Sequence, residues 1–373
     1  MAPEAGDGKD AEAARTFPGL KEYLSERFGA AAGGASFEPL AAPEKSLKLG
    51  GYGIPYLVRW PAPGGERRLV LETVRPGAFG HEDRADRAAI VVRAFDDCAE
   101  LPLHVRPVGA GALRQGGASA LDGTGEFFYL TEYCEGAPYA RDLERVLGTG
   151  RAESADHDRA VALADYLAAI HREPVTHPSY WRRRLRDLVG SGECLAGVAD
   201  SYPLPCSFID EALLERIESL ALSWRYRLRS REERLRVIHG DFHPWNILFR
   251  DGTDFSVLDR SRGRYGDPAD DVAALSINYL FFAIRSAAAF EGPFRKLFRT
   301  FWDRYLQRSG DAGLADAIAP HFAFRALVLG HPHWYPQESD RTRRLLFRFV
   351  LSVLEAPRFE VEEIPAYLER SAP

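Results

Sequence analysis

His239-Gly240-Asp241-Phe242-His243-Pro244-Trp245-Asn246, followed thirteen residues later by Asp259 at the end of Val257-Leu258-Asp259, is the stretch on which the reading of this chain turns. Asp241 is suited to accepting a proton, and Asn246 and Asp259 to holding a hard cation through oxygen. The intervening residues explain how the three meet. Ile247-Leu248-Phe249 and Phe255-Ser256-Val257-Leu258 are short apolar runs separated by Arg250-Asp251-Gly252-Thr253-Asp254, a hairpin signal. Pairing the runs about Gly252 and Thr253 sets residue 247 opposite 258, and therefore Asn246 opposite Asp259. Directly opposed residues lie about 4.5–5.5 Å apart, close enough for an amide oxygen and a carboxylate to share a magnesium ion. A rival reading takes His239, Asp241 and His243 as alternating ligands of a metal-dependent hydrolase. Pro244 resists the strand pairing that would align them, and His171, His177, His321, His331 and His333 are scattered along the chain.

On these residues the chain resembles the aminoglycoside and choline kinase-like phosphotransferases, relatives of the protein kinases. Their catalytic loop reads H-G-D-x-x-x-x-N, which His239 to Asn246 matches at each fixed position, and Asp259 follows a short hairpin as their metal-binding Asp does. The family's next signature is similar to Gly266-Asp267-Pro268-Ala269-Asp270-Asp271-Val272-Ala273. The resemblance implies an α+β, bilobal protein-kinase-like fold: a small antiparallel-sheet N-lobe over 17–133 and a larger, mostly helical C-lobe over 134–373. It also implies ATP (or another NTP) and Mg2+ as cofactors, with a small hydroxyl-bearing molecule as acceptor. In the family's roles Asp241 orients and deprotonates that hydroxyl, Asn246 and Asp259 hold the metal, and Asp271 braces a loop that begins at His239.

Composition fits a soluble intracellular enzyme, and a cytoplasmic location is expected. The 373 residues are 46% hydrophobic, enough for a large core divided between two lobes. Cys98, Cys134, Cys194 and Cys206 form no C-x-x-C pair and no disulfide scaffold. Residues 1–16, rich in Ala, Gly, Asp and Glu, read as a disordered tail without the apolar core of a signal peptide. The longest apolar run, Leu275 to Ile284, is about half of what a membrane span requires. A net charge of −6 offers no basic field for nucleic acid.

Along the N-lobe, Pro18 to Phe28 reads as a helix. Tyr56–Trp60 and Arg67–Thr73 flank Pro61-Ala62-Pro63-Gly64-Gly65, a hairpin. Before it, Gly50-Gly51-Tyr52-Gly53 follows Lys48, and Gly50, Gly51 and Gly53 would let backbone approach nucleotide phosphates. Glu82 to Phe95 reads as a helix burying Ala85, Ala88, Ala89, Val92 and Phe95. Phe127–Thr131 is a strand leading into Glu132, Tyr133 and Cys134, which resemble the family's hinge and would contact adenine. The C-lobe carries helices over Asp158–His171, within 178–236 and around 275–286, 294–308, 312–329 and 341–355, with His171 expected as a core or helix-end residue. Trp302, Tyr305, Phe322, Phe324, Trp334 and Tyr335 are mostly core, some of them lining the acceptor pocket. Arg is as plentiful as Asp plus Glu across 176–236 and 261–373, so composition gives a polycationic acceptor no support.

One departure from the family pattern is large. Kinase-like folds place a lysine on the third strand of the small lobe to hold the α and β phosphates. No lysine occurs here between Lys48 and Lys296, and Glu72 falls at or near that position. At ~4 Å and an effective dielectric near 20, a carboxylate beside a phosphate costs roughly 4 kcal/mol where an ammonium would gain as much. Lys48 or Arg75 is expected to supply the missing charge, with Glu72 paired to Arg84 or Arg87 as an inverted ion pair. The alternative is a nucleotide-binding pseudokinase with a regulatory role.

Overall fold

The computed structural model describes residues 19–40, 53, 55–76, 81, 84–98, 101–113 and 127–369. The expected tail, Lys48, Gly50 and Gly51 lie outside the described residues. The chain divides into two compact units, the first made of residues up to Gly77, His81–Glu100 and His104–Cys134, the second mainly of Glu135–Pro373.

In the first unit, helix α1 (Leu20–Phe28) precedes strands β1 (Ser36–Pro39), β2 (Tyr56–Ala62) and β3 (Gly65–Thr73). Helix α2 (Arg84–Cys98), β4 (Pro107–Ala112) and β5 (Phe127–Glu132) follow. The strands form one antiparallel sheet in the order β1-β2-β3-β5-β4. Period-2 alternation divides its faces. Val58, Trp60, Leu69, Leu71, Phe128 and Leu130 pack with Leu20 and Leu24 of α1, while Tyr129 packs with Val91 and Ala94 of α2. Burying side chains of this size contributes about 1.5–3 kcal/mol each.

Helix α2 buries a different face from the one its alanines suggest. Arg87, Val91, Ala94 and Cys98 are inside, whereas Ala85 and Ala89 are exposed and Val92 is 52% exposed. Alanine commits weakly to either side, and the buried Arg87 is accommodated because Nη1 donates to the His81 carbonyl at 2.7 Å.

The second unit begins with β6 (Ala137–Pro138), α3 (Ala140–Thr149), α4 (Ser154–Ile170), α5 (Pro178–Gly190), α6 (Leu195–Asp200) and α7 (Glu211–Leu228). Short strands β7 (Arg236–Val237), β8 (Ile247–Phe249), β9 (Phe255–Val257) and β10 (Tyr265–Gly266) then carry the signature stretch. They are followed by α8 (Pro268–Ala287), α9 (Gly292–Ser309), α10 (Ala319–Gly330), α11 (Asp340–Glu355) and α12 (Ile364–Glu369). The helix expected over 312–329 therefore starts at Ala319, where Pro320 suits a first turn.

Helix α8 is buried on every side from Pro268 to Ile284, as its nearly unbroken apolar sequence after the first turn requires. The aromatic residues assigned to the core, Trp302, Tyr305, Phe322, Phe324, Trp334 and Tyr335, are all buried. Among the described residues no helix is long and apolar enough to cross a membrane. The fold is α+β and protein-kinase-like: an antiparallel sheet with its helices, then a mostly helical unit.

Candidate active site

The loop from His239 to Asn246 is held from beneath by the start of α8. Strands β7 and β10 pair with Val237 opposite Tyr265 and Arg236 opposite Gly266, which brings the loop beside that helix terminus. Asp267 caps the helix, accepting from Ala269 N at 2.9 Å. Asp271, in the first turn, accepts from His239 N and Gly240 N, both at 2.7 Å, and lies 3.1 Å from His171 Nε2. Carboxylates suit a helix N-terminus, where peptide dipoles present partial positive charge. Burial works against the Asp271 anion, but His171 and these donors prevail and hold its carboxyl below the usual range. Gly240 has φ +88, the left-handed region that glycine enters without penalty, and this turns both amides toward Asp271.

His171 is buried between Asp271 and the Tyr305 hydroxyl, 3.0 Å from its Nδ1, a core position that ties α4 and α9 to the loop. His239 accepts from Asp241 N through Nδ1 at 3.2 Å, and burial pushes its imidazole toward the neutral form. His243 accepts from Trp245 N through Nδ1, capping the turn Pro244–Asn246. With these ring nitrogens engaged by backbone, the alternating His-Asp-His set is organised as loop structure. Among the described residues no group of three or more His, Cys, Asp or Glu side chains is disposed to hold a metal.

The hairpin register differs by one from the sequence expectation. Ile247 faces Val257 and Phe249 faces Phe255, and Leu258 N donates to Asn246 O at 2.8 Å. Asn246 is therefore opposite Leu258 rather than Asp259. The cause is the turn: Arg250 N bonds Asp254 O at 2.9 Å, and the Arg250 guanidinium grips the Asp254 carboxylate at 2.6 and 2.8 Å, closing a five-residue loop over 250–254. A one-residue slip along a continuing strand turns side chains to the other face. Here the chain leaves the strand instead, because Asp259 adopts φ 57, a conformation for which Asp is among the more tolerant side chains. Backbone strain of this kind is often concentrated at functional positions.

The Asn246 amide nitrogen donates to Asp241 O at 3.1 Å and reaches Asp241 Oδ2 at 3.4 Å, leaving its Oδ1 as an oxygen donor. Burial, and then the charge of Asp241, push the Asp259 carboxyl above its ordinary range. Two neighbouring carboxylates with an amide oxygen at hand form a donor set that a hard divalent cation would relieve.

Asp241 has cationic neighbours that sequence reasoning missed. Arg325, buried on α10, donates from Nη1 to Asp241 Oδ1 and from Nη2 to both Gly240 O and Asp270 Oδ1 at 2.8 Å. Arg262 Nε lies 3.7 Å from the same Asp241 oxygen. The Phe324 ring has both guanidiniums close by, at 5.0 Å for Arg262 and 4.8 Å for Arg325. Arg325 is the only Lys, Arg, Asp or Glu between Asp316 and Glu338. That isolated charge in an apolar helix was a signal, though nothing local names its partner. Arg260, also buried, holds Ile238 O with Nε and Nη2 at 3.0 and 2.8 Å and so fixes the approach to the loop.

In the first unit, a Cβ placed on Gly53 would lie 1.8 Å from Thr73 O, so only glycine fits there. Glu72 accepts from the Tyr129 hydroxyl at 2.6 Å. Arg84, at the start of α2, and Arg75 are exposed. At the end of β5, Glu132 N already donates to Arg106 O at 3.0 Å, so an adenine contact at Glu132 would fall to its carbonyl. The Tyr133 ring lies against the Arg68 guanidinium at 4.6 Å, and Cys134 is partly buried.

The fold and this loop define a kinase-type phosphotransferase architecture. Residues 56–310 match the phosphotransferase enzyme family, and the chain belongs to it. Among solved structures it is similar to an amicoumacin kinase in complex with AMP-PNP and Ca2+, at 14% identity over 87% of this chain and 92% of that one, with a TM-score of 0.50. It is also similar to aminoglycoside phosphotransferase APH(3'')-Id from Streptomyces rimosus, at 18% identity over 84% and 98%, TM-score 0.46. A third is APH(4)-Ia, at 16% identity over 90% and 98%, TM-score 0.47. Among curated proteins, none matches the chain by sequence.

Proposed function

We propose that the protein transfers the γ-phosphoryl group of ATP or another NTP to a hydroxyl of a small molecule. The observation that carries this reading is the convergence of Asp241, Asn246 and Asp259 on one loop and hairpin, with Asp241 held by Arg325. Asp241 would accept the hydrogen bond of the acceptor hydroxyl, aim its oxygen at phosphorus and take its proton. Arg325 fixes the carboxylate that does this, and Asp271 fixes the backbone amides of His239 and Gly240. Asn246 and Asp259 would hold Mg2+, which when bound neutralises phosphate charge. Gly50, Gly51 and Gly53 with Lys48 would approach the phosphates, Glu132, Tyr133 and Cys134 the base, and Glu72 would pair with Arg84 or Arg87.

Arg262 and Arg325 beside Asp241 favour a neutral or anionic acceptor over a polycationic one, since a cation approaching Asp241 would meet both guanidiniums. A pseudokinase would have little use for a carboxylate so firmly positioned on this loop. Magnesium-dependent nucleotide turnover measured across a panel of neutral, acidic and basic hydroxyl compounds tests the reading. Turnover with any of them that Asp241→Asn removes would support it. Tight nucleotide binding with no turnover on any compound would favour the pseudokinase.

A further inference from the structure

The second unit contains a cavity of about 340 Å³, walled by α4, β7, α9 and the turns beside them, whose lining includes none of Asp241, Asn246 and Asp259. That volume lies in the lower part of the range typical of small-molecule sites. Its wall carries five arginines, Arg172, Arg231, Arg234, Arg236 and Arg308, against two carboxylates, Glu233 and Asp311. Some of that charge is already matched. Arg234 is buried in bidentate contact with Asp267 and Asp311 at 2.7–3.0 Å, and Arg231 Nε lies 2.7 Å from Glu233.

Three guanidiniums are not neutralised one for one. Arg236 spends Nη1 on the neutral carbonyls of Glu233 and Leu235. Arg308 shares the single carboxylate of Asp165 with Arg304. Arg172 is exposed and makes no ion pair among the described residues. A concave surface with uncompensated guanidiniums from α9, β7 and the end of α4 suits a ligand carrying several anionic oxygens, because each planar fork can hold two of them. A concavity of this volume matches a small molecule rather than an extended polyanion.

The floor of the cavity includes His171 and Tyr305. His171 is hydrogen-bonded to Asp271, which in turn holds His239 N and Gly240 N. We propose that this cavity is a binding site for a small, multiply charged, phosphate-bearing anion, and that its occupancy tightens the Asp241 loop from behind through His171 and Asp271. Its location separates it from the metal-binding residues Asn246 and Asp259, so binding here does not depend on the reaction proposed above.

Calorimetric titration of the full chain with inorganic pyrophosphate tests the site, alongside Asp259→Ala and the double variant Arg172→Gln/Arg308→Gln, whose side chains are exposed and leave the core untouched. Saturable binding is expected with a Kd below about 1 mM, unchanged within about twofold by Asp259→Ala. The arginine double variant should weaken it by at least about tenfold, and Arg236→Gln should weaken it as well. Hydrogen exchange at the amides of 239 and 240 should slow on pyrophosphate addition in the parent protein and not in the double variant. Absence of saturable binding up to about 10 mM, or loss in Asp259→Ala with retention in the arginine variants, would overturn the site. Unchanged exchange at 239 and 240 in a protein that binds would overturn its connection to the loop.

Discussion

Replacing Arg325 should damage both stability and turnover, and the two effects can be separated. The guanidinium makes charge-assisted hydrogen bonds to Asp241, Gly240 O and Asp270 inside the second unit. Burial opposes its charge, but Asp241 and Asp270 outweigh that cost. In Arg325→Met the volume is nearly kept, Asp270 retains Arg184 at 3.3 Å, and Asp241 retains Arg262 only at 3.7 Å. Bonds to charged groups are worth ~1.5–3 kcal/mol each, yet they share one guanidinium and do not add. Truncating one partner of a buried ion pair costs about 3–5 kcal/mol, the figure we expect here. For a body the size of residues 135–373, that corresponds to a Tm lower by roughly 6–20 °C, read by calorimetry. Arg325→Lys keeps a charge but loses the fork, so it should cost less in stability. It should still lower kcat by about 10²-fold with little change in the KM for nucleotide, because Asp241 is misplaced while the phosphate contacts are not. A variant that melts like the parent and turns over at full rate would refute the assignment of Arg325 as the residue that positions Asp241.

Asp241→Asn should leave nucleotide affinity intact and lower kcat by about 10²–10⁴-fold, whereas Asp259→Ala should abolish magnesium-dependent nucleotide binding, and equal losses of affinity in both would show the roles are not separate. Because the folded Asp259 carboxyl is raised, its ionisation costs the folded state stability above the unfolded value. Asp259→Asn should therefore melt higher than the parent at pH 7 without metal, the advantage fading as pH falls and vanishing below about 4, where the folded and unfolded carboxyls are both protonated; a lower Tm at pH 7 would contradict the cause assigned to the shift. Asp271→Ala strands the buried amides of His239 and Gly240, each worth about 1–3 kcal/mol, and should destabilise by more than Asp271→Asn, measured by urea unfolding. Glu72→Lys loses the acceptor for the Tyr129 hydroxyl, and if Glu72 also pairs with an arginine of α2 it should weaken activity; improved ATP affinity from this change alone would refute the inverted ion pair.

The loop could be read from sequence because its groups sit within eight consecutive residues and their spacing is set by local backbone. The hairpin register could not, since it depends on a side-chain grip between Arg250 and Asp254 that closes the turn one residue differently. The inner face of α2 was obscured by alanines, which fit either side, while its actual core face includes an arginine that donates to the His81 carbonyl. Arg325 was out of reach for another reason. It lies 84 residues from Asp241 in sequence, and only the packing of α10 beside α8 brings them together.

Asp271 ties the loop's amides to a helix that is enclosed on every side, and this determines how the loop can move and change. Opening at His239 and Gly240 requires the α8 terminus to release them, so these protons should exchange through an opening of that terminus, far more slowly than those of surface loops. The Asp241 carboxylate thus has the mobility of the core. Diversity of acceptors within such a scaffold would have to arise in the helices and turns around the loop, because a substitution that loosens the loop itself would loosen the centre of the unit with it.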